Sequence, residues 1–128
     1  MCKLKEKPLT DMVAIEISQP GGPEVLVPQK RPVPFPGTEE VLIKIHAAGV
    51  NGPDVLQRKG LYSPPPGASD IPGLEISGEV VAVGPAVSRF VCGDLVCALV
   101  TGGGYAEYAV ASQHVTLKLP EGLSIIEA

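Results

Sequence analysis

The chain has 128 residues, the length of one ordinary domain, and leaves no room for a second. Hydrophobic residues make up 45% of it and charged residues only 19%, so we expect a folded core despite 15 glycines and 14 prolines. The net charge of −4 and the lack of a basic run disfavour a nucleic-acid partner. Its apolar runs reach about six residues, against the roughly 20 that span a bilayer, so no membrane segment is expected.

Residues 1–11 are charged and lack the apolar centre of a secretory signal, which predicts a flexible leader on a cytoplasmic protein. The chain has three cysteines without a C-x-x-C pair and only two histidines. A structural zinc site needs a full tetrahedral set of closely spaced ligands. We therefore expect no metal.

Alternating apolar residues predict the first strands. Met12–Ser18 is one, and Glu40–Ala48 is the clearest, with His46 on its more polar face. Between them, Glu24–Val27 can resume a strand before the closely spaced prolines of residues 31–37. Because proline cannot donate to a ladder, that stretch is predicted to be a connector or an edge.

A short helix is predicted after the Glu40–Ala48 strand. Asn51 can cap its first backbone donors, Pro53 suits its first turn, Asp54 favours its positive end and Gly60 can stop it. Residues 61–73 are too rich in proline, glycine and serine for regular structure. They are predicted to form a surface loop.

Further strands are predicted over Leu74–Gly84 (interrupted by Gly78), Val91–Val100 (with a turn at Gly93-Asp94), Tyr105–Ala111 and His114–Leu119. The glycines Gly102–Gly104 between two of them are expected to form a flexible turn. Six to eight short strands with one short helix indicate a mainly β fold, either a small barrel or a sandwich.

The last residues carry the pattern of a helix start. Ser124 is followed three positions later by Glu127, as in the capping box that opens a helix. The chain ends one residue later, at Ala128. We therefore expect one domain over residues 12–123, with residues 124–128 beginning a helix that leads to a further domain absent from this chain.

Polar side chains concentrate on or just after the predicted helix, at Asn51, Asp54, Gln57, Arg58 and Tyr62. Asp54 and Arg58 are four residues apart, which predicts a solvent-exposed ion pair. The Asn51 amide can either cap the helix or hold a ligand carbonyl or carboxamide. Tyr62 can either anchor the loop or direct its hydroxyl into a cleft.

Several ordered blocks of the sequence resemble the zinc-independent quinone oxidoreductases of the medium-chain dehydrogenase/reductase superfamily. The blocks are Gln19–Leu26, Glu39–Ser69, Pro72–Gly84, Gly93–Val100, Gly103–Val110 and Leu119–Ser124. Gln57-Arg58, the triple proline and the Gly-Ala-Ser that follows are most similar to the p53-inducible quinone oxidoreductase branch.

The resemblance implies a GroES-like small β-barrel with one or two short helices, forming the substrate-side domain. In the intact family a Rossmann domain follows and binds NADPH, whose nicotinamide hands a hydride to a quinone without metal. The resemblance also implies a homodimer when the protein is full length. We expect the 128-residue chain alone to be inactive, because it does not encode the phosphate-binding turn.

The resemblance also suggests site residues. It implies that Asn51 lies near the nicotinamide and that Tyr62 borders the quinone and serves in catalysis. Zinc-dependent relatives have Cys in place of Asn51 and His in place of Leu74, so zinc ligands are missing here. Many related reductases have Tyr in place of Leu56, so any proton-donor role falls on Tyr62 or solvent. Glu75 is expected to be a buried structural carboxylate.

Two other functions remain open from the sequence. An enal or enone reductase of the same superfamily would need a similar cleft. A GroES-like barrel can also be a non-enzymatic binding or assembly module, since fold alone does not assign activity. The preferred quinone and the choice between NADPH and NADH are likewise left open by these residues.

Overall fold

The computed structural model describes residues 10–128 and is mainly β in that range. Its strands are β1 (Asp11–Ile17), β2 (Leu26–Pro32), β3 (Glu40–Ala48), β4 (Glu75–Val83), β5 (Leu95–Leu99), β6 (Tyr108–Ser112) and β7 (Thr116–Lys118). The helix α1 covers Gly52–Arg58, and short 3-10 turns cover Pro23–Val25 and Gln113–Val115. Among residues 10–128, no helix combines the length and apolar character needed to cross a membrane.

The strands form two antiparallel sheets. β1 and β2 pair as a hairpin, and the other five strands form a sheet in the order β6-β3-β4-β5-β7. The hairpin is attached to the sheet through a bridge between Ala14 and Ala106 and through the Ile15 N–H, which donates to the Tyr105 carbonyl at 2.8 Å. This arrangement is a small β-barrel with one short helix, and the predicted fold class is confirmed.

The core is built almost entirely from aliphatic side chains. Its main cluster consists of Val41, Ile43, Ile76, Val80, Phe90, Val96, Ala98, Ala109 and Ala111. The alternation predicted for β3 is confirmed only in part: Val41 and Ile43 are fully buried and His46 is exposed, but Leu42, which strict alternation would place with His46, is buried as well. Each fully buried valine or isoleucine contributes about 1.5 to 3 kcal/mol to folding.

Gly78 lies in the middle of β4, where the pairing register with β3 shifts between Ile45 and Ala47. A Cβ atom at this position would lie 2.0 Å from the Lys44 carbonyl oxygen. The sequence left open whether Leu74–Gly84 is one strand or two. It is one strand, and the glycine allows the close approach of β3 at the bulge.

Some predicted strand boundaries were wrong. Tyr105–Ala111 becomes a ladder strand only from Tyr108, because the Tyr105 carbonyl and the Glu107 N–H bond to β1 instead. Similarly, β5 begins at Leu95, because the Asp94 side chain accepts from the Val91 N–H at 3.0 Å and closes a turn. Two 3-10 turns replace the beginnings of the strands predicted over Glu24–Val27 and His114–Leu119.

The prediction for the first residues of the chain needs a correction, whereas the one for its last residues stays a prediction. Asp11, assigned to the flexible leader, is the first residue of β1, and residues 1–9 lie outside the described residues. Near the other end, the Ser124 hydroxyl accepts from the Glu127 N–H at 3.1 Å, and the Ser77 hydroxyl donates to the Ile125 carbonyl at 2.6 Å. A helix continuing from this turn stays a prediction.

Candidate functional site

The start of α1 lies at one edge of the sheet, directly after β3. Asn51 occupies the N-cap position with extended backbone, at φ −127° and ψ 164°. Its N–H donates to the Asp54 carboxylate at 3.0 Å, which is the acidic half of a capping box. The Gly49 N–H donates to the Glu75 carbonyl at 2.9 Å and fixes this segment to β4. Asn51 is therefore held in place from both sides.

Asp54 is buried, with only 5% of its surface exposed. Besides the Asn51 N–H, its carboxylate accepts from the Gly73 N–H at 3.2 Å and from the Tyr105 hydroxyl at 2.8 Å. The predicted Asp54–Arg58 ion pair is wrong. The Arg58 guanidinium donates instead to the Gly21 carbonyl at 3.1 Å, because Asp54 points into the barrel and Arg58 toward the hairpin.

Tyr105 completes this polar network. Burial, together with its hydrogen bond to Asp54, raises the pKa of the Tyr105 phenol well above its usual range, so the group is a neutral donor. The segment around Gly73 can approach the Tyr105 backbone closely only because residue 73 is a glycine. Gly73 has φ +103°, and a Cβ there would lie 2.6 Å from the Tyr105 nitrogen.

The Asn51 side chain faces the Asp54 backbone N–H within the capping box and also reaches β4. Its Nδ2 donates to the Glu75 Oε2 at 3.1 Å, at the first residue of β4. The expectation that Glu75 is buried is wrong, because Glu75 is exposed on the face of β4 opposite the core residues Ile76 and Val80. A half-buried amide and an exposed carboxylate therefore lie side by side at the start of α1.

Tyr62 is half-buried in the loop between α1 and β4. It follows the end of the helix, whereas Asn51 precedes its start. The loop is tied to the helix by Gln57, whose amide donates to the Asp70 carbonyl at 3.0 Å. Asn51 and Tyr62 thus flank the same short helix.

A separate cleft of about 540 Å³ lies elsewhere on the barrel, along β6 and the end of β2. Arg31 and Tyr108 are among its polar lining residues, and Met12, Val33 and Ile71 are among the apolar ones. Neither Asn51 nor Tyr62 lines it. No local pattern in the sequence predicts this cleft, because its walls come from segments far apart in the chain.

The glycines Gly102–Gly104 pack tightly against a neighbouring segment. The Gly103 N–H donates to the Ile71 carbonyl at 2.7 Å and the Gly104 N–H to the Gly73 carbonyl at 3.0 Å. A Cβ at Gly104 would lie 2.8 Å from that Gly73 oxygen. The expectation of a flexible turn is therefore wrong, since these glycines serve a close backbone approach.

The polar side chains at the start of α1 can be compared with the ligands that zinc prefers. Asn51 and Glu75 supply one amide and one carboxylate, whereas a catalytic zinc usually takes His, Cys and carboxylate side chains as its protein ligands. Over residues 10–128, no group of three or more His, Cys, Asp or Glu side chains is placed to hold a metal ion. Zinc independence itself stays a prediction.

The fold and this site define a known class of domain. The family model of the alcohol dehydrogenase GroES-like domain matches residues 37–121, and the chain belongs to that family. The matched range contains α1, the following loop and all five strands of the larger sheet.

Individual relatives are quinone oxidoreductases. The quinone oxidoreductase of Lama guanicoe is 49% identical over 111 residues, covering 85% of this chain and 34% of the relative. The quinone oxidoreductase structure from Coxiella burnetii superposes with a TM-score of 0.84 at 32% identity, over 92% of this chain and 40% of that one. A mycobacterial structure complexed with NADPH superposes with a TM-score of 0.79 at 38% identity, over 89% of this chain and 35% of that one.

The chain spans about a third of the length of the curated relatives that it matches, 34% and 35% for the first two. The resemblance read from the sequence blocks is therefore confirmed for the barrel. The activity, substrates and partners of a longer protein are taken up as proposals below.

Sequence reasoning missed the structural importance of Asp54 and Tyr105. The sequence placed Asp54 at the helix start, but the spacing of Asn51 and Asp54 also matches a capping box and could have shown that the Asp54 carboxylate accepts from the Asn51 N–H. Nothing local could have paired Asp54 with Tyr105, because that contact joins residues 51 positions apart. Asn51 was correctly located at the N-cap of α1 and Tyr62 in the loop that follows the helix.

Proposed function

We propose that this chain is the substrate-side domain of an NADPH-dependent quinone oxidoreductase, which transfers a hydride from nicotinamide to a quinone without metal. The observation that supports this most strongly is the 49% identity to a quinone oxidoreductase over 85% of the chain. NADPH would be held mainly by a Rossmann domain in the remaining two thirds of the protein. A cytoplasmic location and a homodimer stay predictions.

Asn51 would contact the nicotinamide. Its side chain is accessible at the start of α1, and a primary amide supplies both a donor and an acceptor. A nicotinamide carboxamide carries the same two functions, so the residue present fits the group. The bound nucleotide would supply the hydride, while Asn51 would fix the orientation of its ring.

Tyr62 would border the quinone at the other end of α1. Its ring is half-buried and can pack against the flat face of a quinone, while its hydroxyl can donate to a quinone oxygen. This hydrogen bond would strengthen as negative charge develops on that oxygen. Asn51 and Tyr62 would then hold donor and acceptor rings along one helix.

Replacing Tyr62 by Phe in the full-length protein tests this proposal. We expect kcat/KM for the quinone to fall about tenfold, the loss of one hydrogen bond of roughly 1.4 kcal/mol, with the KM for NADPH unchanged. Tyr108→Phe is the matched control, because Tyr108 lines the separate cleft. Unchanged quinone kinetics in the Tyr62 variant would remove this residue from the site.

The two alternative functions can be distinguished from the proposed one by experiment. An enal or enone reductase would turn over alkenals faster than quinones in the same assay. A binding or assembly module would form a discrete ring of about seven subunits and oxidise no NADPH, which light scattering and absorbance at the reduced-nicotinamide band would reveal.

The isolated 128-residue chain should oxidise no NADPH above background, because the phosphate-binding turn lies outside it. Stopped-flow absorbance with a quinone acceptor is the measurement. Turnover by the purified chain comparable to that of the full-length protein would contradict the two-domain proposal.

A further inference from the structure

One edge of the strand β6 has backbone groups without a neighbouring strand. On its other edge β6 pairs with β3: the Glu107 carbonyl accepts from β3 at 2.8 Å, and the Gln113 N–H donates to the residue before β3 at 3.0 Å. Because the direction of the backbone groups alternates along an antiparallel ladder, the odd-numbered residues between them face β3, whereas Tyr108 and Val110 face away. Within residues 10–128, no other hydrogen bond reaches the backbone of either residue.

β1 bonds to the chain just before β6 and then diverges from it. The Glu107 N–H donates to the Val13 carbonyl at 3.2 Å. One residue earlier in β1, Met12 lies opposite Arg31 of β2. Met12 and Tyr108 both line the cleft of about 540 Å³. The cleft therefore lies between β1 and the open edge of β6.

The sequence of β6 does not protect this edge. Natural proteins shield open edges with prolines, charged side chains or very short strands. At the opposite edge of the sheet, β7 has only three residues and includes Lys118. β2 contains Pro28, Pro32 and Lys30. β6 has neither a charge nor a proline over Tyr108–Ser112, so its free edge is suited to pair with another strand.

The walls of the cleft indicate which kind of strand fits. Met12 and Ile71 are apolar lining residues with only 5% and 4% of their surfaces exposed. Arg31 also lines the cleft, but its guanidinium already bonds to Glu16 at 3.2 Å and to Asp70. It therefore offers little attraction to an acidic segment. A strand with apolar residues at alternate positions and no acidic ones fits these walls.

The longer protein has enough chain to supply such a strand, because this chain spans only 34% and 35% of its first two curated relatives. We propose, on the basis of the proposed function, that an extended segment from the remaining two thirds enters the cleft and pairs with β6 as a sixth strand of the larger sheet. Its backbone bonds to the free groups of Tyr108 and Val110, and its apolar side chains cover Met12 and Ile71.

Amide hydrogen exchange followed by NMR tests this pairing in the 128-residue chain and in the full-length protein. We expect the Val110 amide to exchange about 100-fold more slowly in the full-length protein, because only there does it donate to a carbonyl. Ala109 and Ala111 are the matched controls, since their N–H groups face β3 and should be protected in both proteins. Equal exchange rates of Val110 in the two proteins would overturn the proposal.

A proline substitution separates the backbone of Val110 from its side chain. Val110→Pro removes the N–H, whereas Val110→Ala keeps it. We expect these variants of the 128-residue chain to melt within about 1 °C of each other, since an edge strand tolerates proline where the N–H is free. In the full-length protein, the proline variant should melt about 3 °C lower than the alanine variant, because a hydrogen bond is lost. Equal melting temperatures there would contradict the added strand.

Other occupants of the cleft give different results. Protection of Val110 that grows with the concentration of the 128-residue chain would identify a second copy as the added strand and overturn the proposal. A full-length protein that oxidises NADPH with a quinone but leaves Val110 unprotected would overturn the added strand alone. Protection of Val110 in a full-length protein without turnover would support the added strand and contradict the proposed function.

Discussion

Asp54 and Asp70 are both aspartates with several hydrogen bonds, yet they occupy opposite environments. Asp54 is 5% exposed, and its partners are two backbone N–H groups and the Tyr105 phenol. Asp70 has a side chain that is 74% exposed, and its partner is the guanidinium of Arg31. The buried carboxylate joins three segments of the chain, whereas the exposed one joins a loop to β2.

The comparison teaches that burial, more than the charge of the partner, decides how much a carboxylate contributes. Removing an acceptor from Asp54 leaves buried donors without partners, which costs about 1 to 3 kcal/mol for each group. An exposed ion pair such as Arg31–Asp70 is surrounded by water and contributes about 0 to 1 kcal/mol. The same substitution at both positions should therefore give clearly different results.

The largest effect is expected for Asp54→Asn. The Asp54 carboxylate accepts hydrogen bonds from three donors, and an asparagine would place its own NH₂ group against at least one of them. That donor would lose its acceptor. We therefore expect the free energy of unfolding to fall by about 2 to 3 kcal/mol. Urea denaturation at neutral pH measures it. A loss no larger than that of Asp70→Asn would break the comparison.

Tyr105→Phe should have an intermediate effect of about 1 kcal/mol, because Asp54 keeps its two backbone donors. The pKa of Tyr105 is raised in the folded protein, so its contribution is complete below the unfolded-state pKa of about 10 and is lost as the pH rises above it. Wild type should therefore lose stability above about pH 10 more steeply than the Phe variant. Parallel unfolding free energies from pH 8 to pH 11 would contradict this.

Asp70→Asn should have the smallest effect, below about 1 kcal/mol at neutral pH. The Arg31 guanidinium lowers the pKa of Asp70, so the ion pair stabilises the fold above the unfolded-state pKa of about 3.9 and stops doing so as the pH falls through the lower folded-state value. Variant and wild type should thus converge as the pH falls below the lowered pKa of Asp70. High salt should also reduce the difference, and a salt-independent loss would argue against an exposed pair.

Local patterns were sufficient to predict the regular elements of the barrel. The alternation of apolar residues located β3 with its buried face, and cap and stop residues located α1. Some errors came from local turns at strand starts, and the others occurred where a segment bonds to a distant partner. Residues 105–107 look like part of a strand but pair with β1, and Gly102–Gly104 look flexible but pack against the segment around Gly73.

The candidate site could be predicted only in part for the same reason. Asn51 and Tyr62 were identified by their neighbours in the sequence and by family resemblance. The role of Asp54 could not be read in this way, because an aspartate four residues before an arginine on a helix is typical of a surface pair. Only the fold shows that Gly73 and Tyr105 lie against it.

The junction between the hairpin and the larger sheet also bears on folding kinetics. It joins residues 94 positions apart, as in the hydrogen bond from the Val13 N–H to the Glu107 side chain. Chain segments so distant must meet before this contact can form, and proteins rich in such contacts refold in milliseconds to seconds. We therefore expect slow refolding, with closure of the hairpin onto the sheet among the latest events.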